Sequence, residues 1–373
     1  PRSCAGLDSP GSGILPAAIM FPFRRLPAGP VPINRRALFL PTLVSLGLAG
    51  AFLYFLATRF DVNLNATWAQ ISAGNPWYLL LALVVHYTTF FFRGARWRLL
   101  LRNTQDQDSG TPGVFYCSQL VLLGWFANSV AWFRLGDAYR AYLYREEQAA
   151  SFSRTIGTIL AERVLDAILV ALLLSVSILF MFGGAAGTAW YVVGFALLLA
   201  ILLVSALGVL KLARERALRL LPGWLGERYL RLHEGALGGF QQILPVTVLG
   251  LLAWFSEITR LYLVAQALGF DLGLPLIIFI TLANSLLTLV PTPGGFGAVE
   301  SGVAGLLVRL STLSASGAAA LVVVDRAITF ISIIIVGAGL FLARQILPQF
   351  FKGKRRSSLA LHRPLELGRT EEP

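Results

Sequence analysis

Residues 275–297 read Pro275-Leu276-Ile277-Ile278-Phe279-Ile280-Thr281-Leu282-Ala283-Asn284-Ser285-Leu286-Leu287-Thr288-Leu289-Val290-Pro291-Thr292-Pro293-Gly294-Gly295-Phe296-Gly297. A run of membrane character stops at prolines and glycines. It then resumes as an apolar segment that carries one carboxylate, Glu300. Proline removes a helical donor and glycine frees the backbone. Non-helical backbone at membrane depth is tolerated only where protein or a water-filled cavity covers it. The stretch therefore predicts a helical hairpin that enters the bilayer and returns to the same side. Residues 114–146 predict a second, broken at Leu135-Gly136-Asp137.

The two hairpins have matching surroundings. Phe126-Ala127-Asn128-Ser129 precedes the first break, and Leu282-Ala283-Asn284-Ser285 precedes the second. Each hairpin is followed by a span bearing an acid–arginine pair, Glu162-Arg163 and then Asp325-Arg326. The same order in opposite orientation predicts an inverted repeat, an architecture in which transporters bring broken helices together near the midplane.

The rest of the chain sets this in a membrane. Of 373 residues, 56% are hydrophobic and only 13% charged, against about 25% charged in an ordinary soluble domain. Mean hydropathy is +0.70. A soluble enzyme, a disordered chain and a disulfide scaffold are excluded, which leaves an integral membrane protein. Further apolar runs lie at 38–58, 76–92, 156–182, 189–210, 243–270 and 318–343.

If all eight runs crossed from a cytoplasmic N-terminus, Arg134, Arg140, Arg145 and Arg154 would lie outside. So would Lys211, Arg214, Arg216, Arg219, Arg228 and Arg231, against the positive-inside rule. With the two hairpins re-entrant, six spans remain and both termini are cytoplasmic. The expected fold is an all-α polytopic membrane protein with about six full spans and two oppositely oriented re-entrant hairpins. Residues 1–37 form an N-terminal flank, 38–343 the membrane domain and 344–373 a basic cytoplasmic tail. Residues 1–19 read as foreign to the design, with Met20 as the expected start. The net charge of +12 is almost wholly arginine. Those residues flank apolar spans, so they suit orientation and anionic headgroups rather than nucleic acid. Cys4, Cys117 and the histidines His86, His233 and His362 have no ligand-like spacing. No metal or cofactor is expected.

Charges inside the spans are the candidate functional groups. Glu162 and Asp166 lie four apart on one helix face, and Glu257 and Arg260 three apart on another. An unpaired charge at the bilayer centre costs about 2.5–3.5 kcal/mol on insertion scales. These groups must therefore pair and face a cavity, each of Arg163 and Arg326 with the acid before it. Arg93 and Arg96 end the second apolar run and either support the site or snorkel to headgroups. His86, alone on an apolar helix, reads as a hydrogen-bonded core residue. The first break carries Arg134, Asp137 and Arg140 beside Gly136, and arginine forks match phosphate oxygens. Arg134, Arg140, Arg163 and Arg326 are the expected phosphate-binding set. Asp137, Glu162, Asp166, Glu300 and Asp325 align them or carry protons. Asn128, Asn284, Glu257, Arg260, Arg93 and Arg96 form a surrounding layer. Gly136, Pro291, Pro293, Gly294, Gly295 and Gly297 make the breaks.

Four motifs carry a family resemblance. They are Arg96-Trp97, Arg134-Leu135-Gly136-Asp137-Ala138-Tyr139-Arg140-Ala141-Tyr142-Leu143, Glu162-Arg163-Val164-Leu165-Asp166, and Pro291-Thr292-Pro293-Gly294-Gly295-Phe296-Gly297-Ala298-Val299-Glu300. In them the chain resembles the lysylphosphatidylglycerol synthase transmembrane region, or flippase-like, family. The resemblance implies a multi-pass inner-membrane protein that handles anionic or glycosylated lipids. Some relatives fuse this region to an aminoacyl-transferase domain, which is not expected here. The reading is a flippase-like transporter, not an enzyme, acting on a phospholipid, polyprenyl-phosphate or glycolipid. No ATP-binding motif occurs, so drive would come from a gradient or downhill flow. Two alternatives stay open: an accessory subunit for a lipid-modifying enzyme partner, and a lipid-phosphate hydrolase or glycosyl transferase using Asp137 or Glu300.

Overall fold

The computed structural model describes residues 63–104, 111–131, 135–182, 214–290 and 292–347, with scattered residues of 190–212. Among these residues every regular element is helical. In chain order they are α1 (Leu64–Ser72), α2 (Pro76–Thr104), α3 (Val114–Val130), α4 (Gly136–Gln148), α5 (Phe152–Phe182) and α6 (Arg214–Leu220). Then come α7 (Gly223–Gly238), α8 (Ile243–Ala267), α9 (Leu274–Leu287), α10 (Ala298–Leu310), α11 (Ala315–Arg326) and α12 (Ser332–Ile346). A π-helical turn, Ala327–Ile331, joins α11 to α12. Four helical stretches are long and apolar enough to cross a membrane: Pro76–Thr104, Phe152–Phe182, Leu225–Ala267 and Ala315–Ile346. The other two expected spans, 38–58 and 189–210, fall wholly or largely outside the described residues, as do most of the two terminal segments.

The packing is inverted relative to a soluble protein. Trp77, Leu80, Val84, Phe180 and Ile335 point outward, while Arg93, Arg96, Arg140, Glu162, Glu257 and Arg260 are buried. Lipid solvates the first set, and only protein can solvate the second. Helix α2 differs from the sequence reading in one respect. It does not end near residue 92 but continues to Thr104, so Arg93 and Arg96 sit in its interior and cannot snorkel. Helix α8 lies along it, and the Thr89 hydroxyl donates to the Ala253 carbonyl at 3.0 Å.

Both broken segments fold back on themselves. Tyr116 near the start of α3 donates to Glu147 near the end of α4 at 2.7 Å, so the two helices run antiparallel. The reversal is fixed by Asn128, whose Oδ1 accepts the Gly136 N–H at 2.7 Å. At the second reversal Gly294, Gly295 and Gly297 take φ of 60°, 70° and 93°. L side chains rarely adopt this region, which is why three glycines stand there. The Thr292 hydroxyl donates across the turn to the Phe296 carbonyl at 3.0 Å.

These close approaches are testable by substitution. A Cβ at Gly136 would lie 1.9 Å from the Gly124 carbonyl oxygen, and one at Gly295 would lie 2.7 Å from the Thr288 Cα. Gly136→Ala and Gly295→Ala should each lower thermal stability in detergent, by about 1–3 kcal/mol for forced overpacking. Gly305→Ala, whose Cβ meets nothing within 4 Å, should not.

Candidate functional site

A cavity of about 390 Å³ opens where the two hairpins meet. Asn128 and Ser129 reach it from α3, and Asn284 and Ser285 reach it from α9. Arg163 of α5 and Arg326 of α11 also line it. The matching sequence elements thus converge on one space. The π-helical turn widens the last helix where Thr329 and Phe330 face the cavity. Such turns are frequent at functional sites.

Behind this surface lies a network of ion pairs. Arg96, fully buried, grips Asp166 with both terminal nitrogens at 2.7 and 2.9 Å. It also donates to Glu162 Oε1 at 3.0 Å. The other oxygen of Glu162 accepts from Arg140 at 2.8 Å. Arg163 holds Asp137 in a two-point bond at 2.9 and 2.8 Å. Asp166 stands 3.6 Å from Arg93 and 3.7 Å from Arg163. On the other side Arg260 pairs with Glu257 at 3.2 Å and also with Asp325. Arg326 pairs with Glu300 at 2.7 Å and donates to the Gly294 carbonyl at 3.0 Å. Glu300 in turn accepts the Gly297 N–H at 2.7 Å, capping α10. Among the described residues of this network, six arginines (93, 96, 140, 163, 260, 326) face six carboxylates (137, 162, 166, 257, 300, 325).

Several sequence assignments are corrected by this geometry. Neither Arg163 nor Arg326 pairs with the acid before it. Consecutive helical residues diverge by about 100° and cannot face each other. Glu162 serves Arg96 and Arg140 instead, and Asp325 serves Arg260. Arg140 is absent from the cavity wall: it is 1% exposed and lies over the Trp97 ring at 4.5 Å. Its hydrogen-bond partner is Glu162. His86 is buried as expected, yet neither ring nitrogen has a hydrogen-bond partner. Arg134 and Pro291 lie outside the described residues, while Pro293 is buried within the second reversal.

Sequence reasoning undervalued Arg96. The available signal was the Glu162–Asp166 pair, since two acids on one buried helix face require a cation opposite. It also missed Trp125 and Trp254, whose rings flank the Arg93 guanidinium at 5.1 and 5.4 Å. Both rings line the cavity.

Fold and site together define a multi-pass helical membrane protein with a charged internal cavity. The family model for the lysylphosphatidylglycerol synthase TM region matches residues 42–337, and the chain belongs to that family. It is similar to a UPF0104 membrane protein of Methanocaldococcus jannaschii, at 29% identity over 58% of this chain and 93% of the relative. Two UPF0104 membrane proteins of Methanothermobacter thermautotrophicus are each 27% identical. One match covers 69% of this chain and 82% of the relative, the other 84% and 95%.

The network makes a stability prediction. Arg96→Leu strands Glu162 and Asp166 without their principal cation and should cost about 3–5 kcal/mol. Folded yield and thermal unfolding in detergent should both fall sharply. The same measurements on Arg154→Leu, whose partner Glu234 is exposed, should change little.

Proposed function

We propose that the chain is a flippase-like transporter that carries a phosphate-bearing lipid across the plasma membrane, with both termini cytoplasmic. One observation carries this reading: Arg163 and Arg326, from matching positions after the two breaks, line the same cavity. A phosphate between them receives charge-assisted bonds from both halves of the molecule. The hairpins act as gates. Helices of 14 and 13 residues in the second hairpin span about 20 Å each at ~1.5 Å per residue, short of the ~30 Å hydrocarbon core. They suit re-entry better than crossing.

Each arginine is already engaged, which gives the gate its mechanism. Arg163 spends two nitrogens on Asp137 at the first break, and Arg326 spends two on Glu300 and Gly294 at the second. A phosphate oxygen competes with those partners. As it wins, the arginine releases the break and that hairpin is free to move. Binding on one side thereby loosens the gate on that side.

Liposomes containing the purified protein and labelled phospholipid test this. The double variant Arg163→Lys, Arg326→Lys keeps charge but loses the planar fork. Lipid movement should fall at least tenfold while gel-filtration behaviour survives. Asp137→Asn frees the Arg163 fork and should tighten phospholipid binding. Unchanged movement in the lysine pair, with no tightening from Asp137→Asn, would make these arginines structural only. Lipid bound but never moved by the wild-type protein would point to an accessory role.

A further inference from the structure

We propose that an anionic headgroup enters the cavity together with a proton, and that the His86–Glu257 pair holds it. This deepens the transporter reading and rests on it, by naming the ion that moves with the lipid. The network holds six guanidinium groups against six carboxylates among the described residues. A phosphodiester adds one negative charge to this set, which is balanced among the described residues. Uncompensated charge there is costly. A site that binds an anion therefore gains by taking up a positive charge at the same time.

The geometry points to one place for it. Glu257 lines the cavity and has one oxygen, Oε1, without a hydrogen-bond partner. Its other oxygen, Oε2, lies 3.9 Å from His86 Nδ1. His86 is fully buried and neither ring nitrogen is hydrogen-bonded, an arrangement a structural histidine seldom has. Arg260 cannot serve Glu257 fully, because it is shared with Asp325 on α11. The rings that contact the imidazole are uncharged, and Arg93 is a further cation within electrostatic reach of Glu257. Tyr87 and Phe90 on its own helix and Trp125 on α3 contact it as rings. Arg93, on the same helix, is turned toward Asp166 and sandwiched by its two indoles.

The step is a simple protonation. A proton from the cavity reaches Glu257 Oε1, the carboxyl turns or relays it, and an imidazole nitrogen lone pair forms the new N–H bond. The imidazolium then donates to Glu257, whose carboxylate is regenerated. The donor is a hydronium ion, whose O–H bond breaks to leave water, and the transient Glu257 O–H bond breaks as the imidazole N–H forms. On the far side the headgroup leaves and the proton follows, which returns the network to six against six.

The test measures proton uptake in weakly buffered detergent, using a pH-indicator dye, while native mass spectrometry counts bound lipid. Phosphatidylglycerol supplies the anionic probe and phosphatidylcholine, which brings its own positive charge, the neutral one. Wild-type protein should take up roughly one proton per phosphatidylglycerol bound and close to none with phosphatidylcholine, as charge compensation requires. His86→Gln should lose most of that uptake, and Glu257→Gln should do the same if the first variant fails to fold. Phosphatidylglycerol bound without proton uptake, or equal uptake with both lipids, overturns the proton proposal and leaves the transporter reading standing. Full uptake in a folded His86→Gln protein removes the histidine as carrier and overturns the proposal too. Binding of neither lipid overturns both readings.

Discussion

A guanidinium group in hydrocarbon has to be surrounded by its own counter-ions, and Arg96 is where this structure meets that demand. No surface of the group is exposed, and two carboxylates from α5 close on it. In a low-dielectric interior the attraction is strong, but so is the desolvation penalty, and breaking one partner is much costlier than never having had the pair. The position of α5 against α2 is therefore tied to this contact. Once α5 is placed, Glu162 brings Arg140 and with it α4. Arg163 then finds Asp137 at the first break. The hairpin is held to the core by charge as much as by packing.

The same construction recurs in the second half. Arg96 pairs with Glu162, 66 residues on, and Arg260 with Asp325, 65 residues on. Arg163 reaches back 26 residues to Asp137, and Arg326 reaches back 26 to Glu300. The separations match on the two sides of the network. The two breaks differ in detail. Asn128 spends its oxygen on the Gly136 amide, whereas the Asn284 oxygen has no partner and lies at the cavity. The second break is instead stabilised by Glu300 and by Arg326 on the Gly294 carbonyl. Both breaks pair a carboxylate with a guanidinium; the first adds the Asn128 amide on Gly136, and the second adds the Arg326 bond to the Gly294 carbonyl.

At the second break a side chain at Gly294 would strike Phe330. Phe330 also lies beneath the Arg326 guanidinium at 4.6 Å. Turn, ring and cation thus form one stacked unit on the cavity wall, placed there by the π-helical turn that follows Arg326.

Run length, composition and residue type alone were enough to show that the chain lives in a membrane, where its helices break, and which charged residues could not be left alone. Those conclusions rest on local chemistry: apolar run length, proline and glycine, and the cost of a lone charge. The sequence also marked Glu257 with Arg260 correctly, because residues three apart share a helix face. Only the tertiary structure decided who pairs with whom elsewhere. Glu162 and Arg163 are neighbours in the chain, yet they serve different helices, since successive helical side chains point about 100° apart. Arg140 belonged to the expected ligand set by type and position, but the fold laid it over Trp97 and outside the cavity. Ion pairing between helices depends on distances that sequence separation does not encode, and that is why the partners had to be read from the structure.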